Sequence, residues 1–583
     1  MVGPGGLGKT RLAHAVAREA PQPVVHFVEL VGVTSPDDVV GEVGSVLGVR
    51  DSVSGRRALT PEQRADVRAR IAQQLDQAPT LLVLDNCEHV VDAAADLVAF
   101  LVATTRELRV LTTTRAPLAI AAEHVHQLPH LGSDDAIALF RARASAARPG
   151  VRLDDTEIHS VVDRLDGLPL AIELAAAKVR VMAPAEIARR LDDRFALLRG
   201  GDRSAPDRHR TLLAVIDWSW ALLAERERRA LRFLSAFHDG FTLDAADAVL
   251  GGDGLDAVED LVEQSLLVVT DTDGGTRFRM LETVREFGRL QAETVGEATE
   301  ISTAVRAWAV EYADTWGRQL FSPTQVEAMA RLRAEETNLA DVLREALAAP
   351  DPAASSVLFG PLAGYWGISG DHFRSMTSTP AFAEALEGWT PPPELADSVR
   401  VALCTALFNA RLASPATVDP LLALLGELGA DSSVPSVRAL TTVMLAEVQG
   451  DRADLTTDPD PLVRGLSLQF AAHELENSAD PQGAIDAARE ALALVPEEEG
   501  PWRRAMLDTE LSGLHAQLGD TEGAAAHSRA AIPVLEQLGA FDDVVQGRAV
   551  LAVAALEQGD LDGARRILDE IDEDLIGATP APT

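Results

Sequence analysis

The chain is poor in cysteine and contains no long apolar run. Cys87 and Cys404 are its only cysteines, which excludes a disulfide framework and a cysteine-rich zinc module. No apolar stretch reaches the roughly 20 residues of a membrane-spanning helix, and no signal peptide opens the chain. A formal net charge of −38 argues against a protein that mainly clamps nucleic acid or lies on an anionic membrane. We therefore expect a cytoplasmic protein that does not contact a membrane.

Length and composition indicate several globular domains. A chain of 583 residues is too long for one ordinary core, and its 47% hydrophobic and 24% charged residues are typical of soluble globular proteins. Lysine occurs only as Lys9 and Lys178, while arginine fills every other basic position. GC-rich coding explains this bias, so a lysine that persists against it is a candidate for a chemical role.

A phosphate-binding loop opens the chain. The pattern G-x-x-x-x-G-K-[ST] is matched in full by Gly3, Pro4, Gly5, Gly6, Leu7, Gly8, Lys9 and Thr10. The glycines let successive backbone N–H groups approach the β-phosphate of ATP or ADP. Lys9 is predicted to reach the β- and γ-phosphates and Thr10 to ligate Mg²⁺, with the N-terminal end of the following helix facing the anion. A chance glycine-rich turn is the alternative, which the helix and the motifs downstream disfavour.

A loop of this kind normally follows a buried strand in the middle of a parallel sheet. Here only Met1 and Val2 precede Gly3. We therefore expect a parallel sheet that lacks its first strand, because of a wrongly assigned start or a truncation.

Two further apolar strands end in charged side chains. The run Thr80–Asp85 reads as a buried parallel strand whose final carboxylate, Asp85, holds Mg²⁺ directly or through water. The run Leu108–Thr114 reads as its neighbour, and Arg115 follows it in a position to sense the γ-phosphate. Taken alone, Asp85 is equally consistent with a cap on the next turn and Arg115 with a solvated surface residue. An earlier strand is predicted over Val24–Leu30.

Histidines in this region raise the question of a bound metal. His124, His126 and His130 are close in sequence, and His-x-His on a strand places two rings on one face. No fourth ligand is obvious, so we favour a polar surface over a metal site.

An ordered series of motifs resembles one family. The series runs GPGGLGKTRLA (3–13), LLVLDNCEH (81–89), LTTTR (111–115), GLPLAIELAA (167–176), RTLLAVIDWSWALL (210–223) and FRMLETVREFG (278–288). It resembles the STAND class of P-loop ATPases in its NB-ARC branch, and in particular the ATPase core of bacterial SARP-type and LuxR-type regulators. The specific motifs cover about residues 1–290. Beyond them the resemblance is one of architecture.

The resemblance implies a switch controlled by nucleotide. ADP would hold the nucleotide-binding, helical and winged-helix domains closed together, and exchange for ATP would open them. Pro169 matches the motif residue that lies near the base or sugar of the nucleotide. By itself, Gly167 followed by Pro169 also suits a helix start. The two interpretations are compatible.

Two positions depart from the family pattern. The residue after Asp85 is Asn86, where many relatives carry a second acid that polarises the attacking water, and an amide cannot accept a proton. Glu88 is close enough to substitute, or it is simply solvated. Leu281 stands where many relatives have a histidine that touches the ADP phosphate. We therefore expect slow hydrolysis of ATP, and an ADP-bound state that is held closed by contacts other than the one from this histidine.

A winged-helix fold is predicted over residues 205–290, and its charges argue against DNA contact. The candidate recognition helix, Gly254–Gln264, carries Asp256, Glu259, Asp260 and Glu263 and no basic residue. Four carboxylates would repel a phosphate backbone. We expect no nucleic-acid contact and no DNA-binding domain in this chain.

The C-terminal half is helical in pattern and contains a repeat. Asp480, Asp520 and Asp560 recur every 40 residues, and each is followed three residues later by glycine. This spacing resembles degenerate TPR repeats that stack into a solenoid. The concave face would receive a protein partner or a small-molecule inducer, and the ATP state could form a homo-oligomer.

These observations together predict a multidomain chain with an α/β P-loop domain, all-α helical and winged-helix domains, and an α-solenoid. The predicted boundaries are 1–132 (nucleotide binding), 133–204 (helical), 205–290 (winged helix), 291–400 (helical linker), 401–575 (TPR-like repeats) and 576–583 (disordered tail). The preferred function is an ATP/ADP switch in transcriptional regulation that is at most a slow ATPase. The alternative is a non-hydrolysing, ADP-bound scaffold. A metabolic P-loop kinase is poorly supported, because the C-terminal half offers no substrate chemistry.

Overall fold

The computed structural model describes nine stretches of the chain. They are residues 1–33, 35–49, 67–165, 167–198, 207–272, 275–349, 351–413, 415–449 and 452–577. This part of the chain forms two compact units, residues 1–39 with 75–308 and residues 40–74 with 309–577. The division differs from the predicted domain boundaries, which remain predictions. Most of the tail predicted over 576–583 lies outside the described residues. No helix in the described stretches has the length and apolar character needed to span a membrane.

The first unit contains a small parallel sheet, as predicted. Its strands are β1 (Val24–Glu29), β2 (Thr80–Asp85) and β3 (Leu108–Thr112), paired in that order. β2 is buried along its whole length, which explains its uninterrupted apolar run. The register places Glu29 beside Asp85 at the carboxyl ends of the strands. β1 and β3 end one and two residues earlier than predicted, where the pairing stops.

Met1 and Val2 lie beside the end of β3. Val2 forms parallel bridges with Thr114 on one side and Gln127 on the other. The Thr114 N–H donates to the Met1 carbonyl at 3.1 Å, and the Gly3 N–H donates to the Thr114 carbonyl at 3.2 Å. The two residues ahead of the loop therefore occupy the position in which a P-loop strand was expected.

Helices supply most of the remaining structure. Up to the winged-helix region they are α1 (Lys9–Arg18), α2 (Val39–Val46), α3 (Val67–Leu75), α4 (Val91–Thr104), α5 (Ser133–Ala147), α6 (Asp155–Arg164), α7 (Pro169–Ala177) and α8 (Pro184–Leu198). The winged-helix region contains α9 (Asp207–Leu222), α10 (Glu225–Leu234), α11 (Leu243–Leu250), α12 (Gly254–Glu263), the antiparallel pair β4 (Leu267–Thr272) and β5 (Gly275–Met280), and α13 (Glu282–Val295). α12 agrees with the helix predicted over Gly254–Gln264, one residue shorter at its end.

The second unit is made of helices. They are α14 (Ala298–Gly317, whose first half belongs to the first unit), α15 (Gln325–Ala348), α16 (Pro352–Ser369), α17 (His372–Ala385), α18 (Ala396–Ala413), α19 (Pro415–Leu428), α20 (Pro435–Gln449), α21 (Pro461–Asn477), α22 (Pro481–Leu494), α23 (Trp502–Gln517), α24 (Thr521–Leu538), α25 (Phe541–Glu557) and α26 (Leu561–Gly577). From α21 onward each helix packs against the next one along the chain. This arrangement is a run of antiparallel helix pairs.

The 40-residue repeat has a local physical cause. Asp480 and Asp520 each cap a helix by accepting the N–H of the glycine three residues on, Gly483 or Gly523, at 3.0 Å. Asp560 accepts from its own glycine in the same way at 2.9 Å. A Cβ on Gly483 or Gly523 would lie 2.5 or 2.4 Å from the capping carboxylate. The Ala354 N–H donates to Asp351 from the same position at 3.1 Å, so this cap accepts a side chain there, and the glycines of the repeat leave the capping carboxylate free of a close Cβ contact.

Within the second unit, one arginine joins α2 to the C-terminal helices. The Arg374 guanidinium of α17 donates to Glu42 of α2 at 2.5 Å and to Glu336 of α15 at 2.8 Å, and its Nε lies 3.2 Å from Asp371. Burial alone would lower the pKa of Arg374, but the three carboxylates outweigh it and raise the pKa. Ser45 of α2 adds a hydrogen bond to Asp371 at 2.8 Å. α2, predicted as part of the nucleotide-binding domain, thus contacts a helix more than 300 residues away in sequence.

Replacing Arg374 by methionine should destabilise the second unit by about 3 kcal/mol, because three carboxylates would face each other without their shared cation. Urea unfolding followed by circular dichroism measures the effect. Arg318→Met is the matched control, since Arg318 is 68% exposed and pairs only within its own helix turn with Asp314. We expect a change of less than about 0.5 kcal/mol for the control. Equal stabilities of the two variants would contradict the role given to Arg374.

Candidate nucleotide-binding site

The loop that opens the chain is shaped by its glycines. Gly6 and Gly8 have φ values of 78° and 83°, in the left-handed region that side-chain-bearing residues avoid. α1 begins at Lys9 without a side-chain cap. The Lys9 ammonium turns back into the loop and donates to the carbonyls of Gly3 at 2.9 Å and Pro4 at 3.2 Å. These carbonyls hold the ammonium at the centre of the loop that a phosphate would enter.

Asp85 lies at the carboxyl end of β2, 4% exposed, and faces the start of α1. The Thr10 hydroxyl donates to its Oδ2 at 2.9 Å, and the Thr113 hydroxyl donates to its Oδ1. The Thr113 hydroxyl also accepts the Asn86 N–H at 2.9 Å. Burial raises the pKa of Asp85, and the two hydroxyl hydrogen bonds oppose this effect. Thr10 and Asp85, the two predicted magnesium ligands, are therefore brought together.

Arg115 forms a bridge from the nucleotide-binding region to the winged-helix region. Its Nε donates to Glu88 Oε1 at 3.1 Å, and its Nη2 donates to Glu286 Oε1 of α13 at 2.7 Å. Burial lowers the pKa of nearby Lys9; Glu88 and Asp85 oppose this effect, while the Arg115 charge adds to it. Lys9, Glu88 and Arg115 therefore lie within one electrostatic cluster at the loop.

Gly167 and the start of α7 pack directly on this loop. The Leu170 N–H donates to the Gly6 carbonyl at 3.2 Å, one residue after Pro169 begins the helix. Gly167 has φ 62°, and a Cβ there would lie 2.6 Å from the Leu131 carbonyl. Pro169 is thus close to the loop, while its predicted contact with a nucleotide base or sugar stays a prediction.

The start of α13 also packs on the loop. A Cβ on Gly5 would lie 2.4 Å from the Thr283 side chain, so only glycine leaves room for this approach. Leu281 is the N-cap residue of α13, and its apolar side chain offers no hydrogen bond to a phosphate. A second ion-pair link is formed by Arg279 of β5, which contacts Glu29 at 2.9 Å and Asp239 at 2.6 Å.

Several contributors were not identified from the sequence. They are Thr113, Glu286, Thr283, Glu29 and Arg279. Thr113 had a usable signal, because it ends the strand next to Asp85 and carries a hydroxyl. Arg279, Thr283 and Glu286 lie in the motif at 278–288, whose sequence does not show that it packs on the loop, and Glu29 ends β1.

Lys178, the other lysine, is structural in this arrangement. It is 2% exposed, and its ammonium donates to Gln264 at the end of α12 at 2.6 Å. Burial lowers its pKa to about 8, and the neighbouring Arg180 acts in the same direction. Lys178 therefore holds the helical region against the winged-helix region and lies apart from the loop.

On the winged-helix region, the acidic face of α12 is partly neutralised. Arg226 of α10 lies 3.3 Å from Asp256 and 2.6 Å from Asp260. Asp256 and Asp260 are therefore exposed but paired with an arginine.

Comparison with protein families identifies two domains. An AAA domain model matches residues 1–120, and a winged helix-turn-helix domain model matches residues 223–293. The chain thus contains an AAA-type P-loop domain followed by a winged helix-turn-helix domain.

Several relatives are known by sequence. The putative HTH-type transcriptional regulator Rv0890c of Mycobacterium tuberculosis is 39% identical over 359 residues, which are 60% of this chain and 39% of that protein. The uncharacterized protein Rv0894 of the same species is 33% identical over 320 residues, 52% of this chain and 79% of that protein. The regulatory protein AfsR of Streptomyces griseus is 30% identical over 50% of this chain and 30% of its own length. The chain thus spans about two fifths of the length of Rv0890c.

One solved structure aligns along nearly the whole chain. The STAND protein PH0952 of Pyrococcus horikoshii, which has a tetratricopeptide repeat sensor, is 15% identical, with 98% of this chain and 85% of that chain covered and a TM-score of 0.41.

The winged helix-turn-helix match corrects one expectation. We expected no DNA-binding domain in this chain, and that expectation is wrong at the level of domain type, because residues 223–293 match such a domain. The charge argument considered the surface of one helix, and domain type is set by the core and topology instead. The separate expectation, that this helix does not contact DNA, stays a prediction.

The pKa of Lys178 predicts how stability depends on pH. Between pH 8 and 10.5 the unfolded chain still holds this proton while the folded chain releases it, so the free energy of unfolding rises with pH in this window. The gain amounts to about 3 kcal/mol. Urea unfolding at pH 7.5 and 10.5 should show this rise in the wild type relative to Lys178→Met. Arg180→Met, which removes the smaller of the two causes, should keep most of the rise because burial is the larger cause. An identical pH dependence in Lys178→Met and the wild type would refute the assignment.

Proposed function

This chain belongs to the family of the mycobacterial protein Rv0894, and on that premise we propose that it is an ATP- and ADP-binding switch in transcriptional regulation. We assign it to the STAND class in its NB-ARC branch. The observation that carries the proposal is the convergence of Lys9, Thr10 and Asp85 on the glycine loop. The kinship with a putative HTH-type transcriptional regulator and with AfsR supports the regulatory part.

The loop residues suit a nucleotide with Mg²⁺. Backbone N–H groups of residues 3–10 would bind the β-phosphate. The Lys9 ammonium would then donate to phosphate oxygens instead of to the carbonyls of Gly3 and Pro4. Thr10 and Asp85 offer the oxygen ligands that Mg²⁺ prefers, and a buried carboxylate with a raised pKa fits a site that gains a cation. When bound, Mg²⁺ supplies positive charge to the phosphate oxygens.

Arg115 gives the switch a physical basis. Its guanidinium is held by Glu88 and by Glu286 of the winged-helix region. A γ-phosphate is a stronger bidentate acceptor and would compete with Glu286 for Nη2. ATP would thereby weaken the link to α13, whereas ADP, which lacks this group, would leave it intact.

The second unit would act as the sensor. Its helix pairs from α21 to α26 suit TPR-like repeats, and repeats of this type present a continuous surface to partners. We assign that surface to a protein partner or a small-molecule inducer, with homo-oligomers in the ATP state. The Arg374 cluster ties α2 to α15 and α17 within the same unit. A ligand that shifts α17 would therefore act on α2.

A second function remains open on one observation. Asn86 has φ 62°, a buried Nδ2 atom without a hydrogen-bond partner, and no capacity to accept a proton. A scaffold that keeps ADP bound permanently would not need a residue that accepts a proton from water. Slow conversion of bound ATP into ADP would favour the switch, and no conversion would favour the scaffold.

Replacing Lys9 by alanine should weaken binding of both ADP and ATP at least about tenfold, because a charge-assisted hydrogen bond to phosphate is lost. Isothermal titration calorimetry with Mg²⁺ measures this directly. Arg11→Ala is the matched control on the same helix, since its side chain is 77% exposed and pairs weakly with Glu173. Absence of heat from the wild type with either nucleotide would refute the proposed function.

Replacing Glu286 by glutamine should raise the affinity for ATP relative to ADP by about threefold, because Arg115 loses a competing carboxylate. Hydrogen exchange of the α13 amides in the ADP complex should quicken at the same time. Glu293→Gln, at an exposed position on the same helix, is the control and should leave both quantities unchanged. An unchanged ratio of affinities in Glu286→Gln would argue against Arg115 as the nucleotide sensor.

A further inference from the structure

A residue that activates water is still unassigned at this site. Hydrolysis of ATP needs a group that orients the attacking water and takes its proton. Asn86, the residue after Asp85, cannot do this with an amide side chain. Asp85 is engaged by the Thr10 and Thr113 hydroxyls. Neither residue is therefore suited to the task.

Glu88 has a carboxylate with one free oxygen. It lies in the short helical turn Cys87–His89, directly after β2, and its side chain is only 13% exposed. Its Oε1 accepts a hydrogen bond from the Arg115 Nε at 3.1 Å, whereas its Oε2 is buried and has no hydrogen-bond partner among the residues that the structure describes. A buried carboxylate oxygen without a hydrogen-bond partner lowers the stability of the folded chain, because its lost hydration is not replaced. Such an atom is available for a water that enters with a substrate.

The position of Glu88 is consistent with the phosphate end of a nucleotide. Among the charged neighbours of Lys9, Glu88 has the largest electrostatic effect on it, ahead of Arg115 and Asp85. Lys9 is the residue assigned to the β- and γ-phosphates. The same turn therefore brings a free acceptor close to the ammonium group that would hold the γ-phosphate.

From this geometry we infer that Glu88 is the general base of ATP hydrolysis. Its Oε2 accepts a proton from the water, whose oxygen forms a bond to the γ-phosphorus. The bond from the γ-phosphorus to the bridging oxygen breaks, and its electron pair stays on ADP. The proton then passes from Glu88 to the released phosphate or to solvent. The inference rests on the proposed function, since it concerns the same nucleotide.

The bridge through Arg115 makes this base sensitive to the winged-helix region. Arg115 orients Glu88 through Nε while it holds Glu286 through Nη2. Arg115 is thus a positioning residue for the base. In the ATP state Nη2 would hold the γ-phosphate in place of Glu286 while Nε keeps Glu88 oriented, which couples hydrolysis to the release of α13.

Single-turnover hydrolysis of ATP by the full chain, with calorimetry on the same samples, tests the assignment. Glu88→Gln should hydrolyse ATP at least about 100-fold more slowly, while its affinity for ATP stays within about threefold of the wild type. Protein-bound nucleotide extracted after incubation should then remain ATP in the variant and become ADP in the wild type. Glu107→Gln, at an exposed position before β3, is the control and should behave as wild type in all three measurements.

The outcomes separate two kinds of failure. Wild-type rates in Glu88→Gln, or a wild type that binds ATP and never converts it to ADP, would overturn the assignment of Glu88 and leave nucleotide binding intact. A wild type that binds neither nucleotide would overturn the proposed function and this inference together. A Glu88→Gln variant that loses ATP affinity in parallel with its rate would show that Glu88 has a binding role, and would likewise overturn the assignment.

Discussion

The Arg115 guanidinium is the contact on which the organisation of the first unit depends. It joins a carboxylate beside the phosphate loop, Glu88, to a carboxylate on α13, Glu286. Arginine suits this place because its planar fork can satisfy two acceptors at once and stays charged when partly buried. In the proposed switch, nucleotide binding would change what Arg115 contacts. The guanidinium would then have two arrangements, one with Glu286 and one with a γ-phosphate.

The loop is enclosed by elements that are distant in sequence. α7 contributes the Leu170 N–H to the Gly6 carbonyl, and α13 brings Thr283 against Gly5. A Cβ on Gly5 would collide with Thr283, and Gly6 has a φ of 78° that side-chain-bearing residues avoid. The glycines that would let the backbone wrap around a phosphate therefore also let the helical and winged-helix regions pack on the loop.

Within the second unit, Arg374 plays a comparable part with three acceptors. It links α2 to α15 and α17 through Glu42, Glu336 and Asp371. A partly buried cation with three carboxylates is sensitive to small displacements, because losing one partner leaves an uncompensated charge. As the proposed sensor, the second unit would gain from such a cluster, since a modest shift of one helix would have a large energetic effect on another.

Much of this protein could be inferred from local patterns. The phosphate loop, the buried strand before Asp85, the winged-helix hairpin and the 40-residue repeat each follow from neighbouring residues, because backbone conformation and strand burial respond to short stretches of chain. The winged-helix fold was predicted, but the expectation of no DNA-binding domain was wrong, because the charge on one helix was weighed above the fold of the whole region. The pairing of Arg115 with Glu286, 171 residues apart, and of Arg374 with Glu42, 332 residues apart, had no local signal. Long-range ion pairs depend on which surfaces pack together, and only the folded chain brings those surfaces into contact.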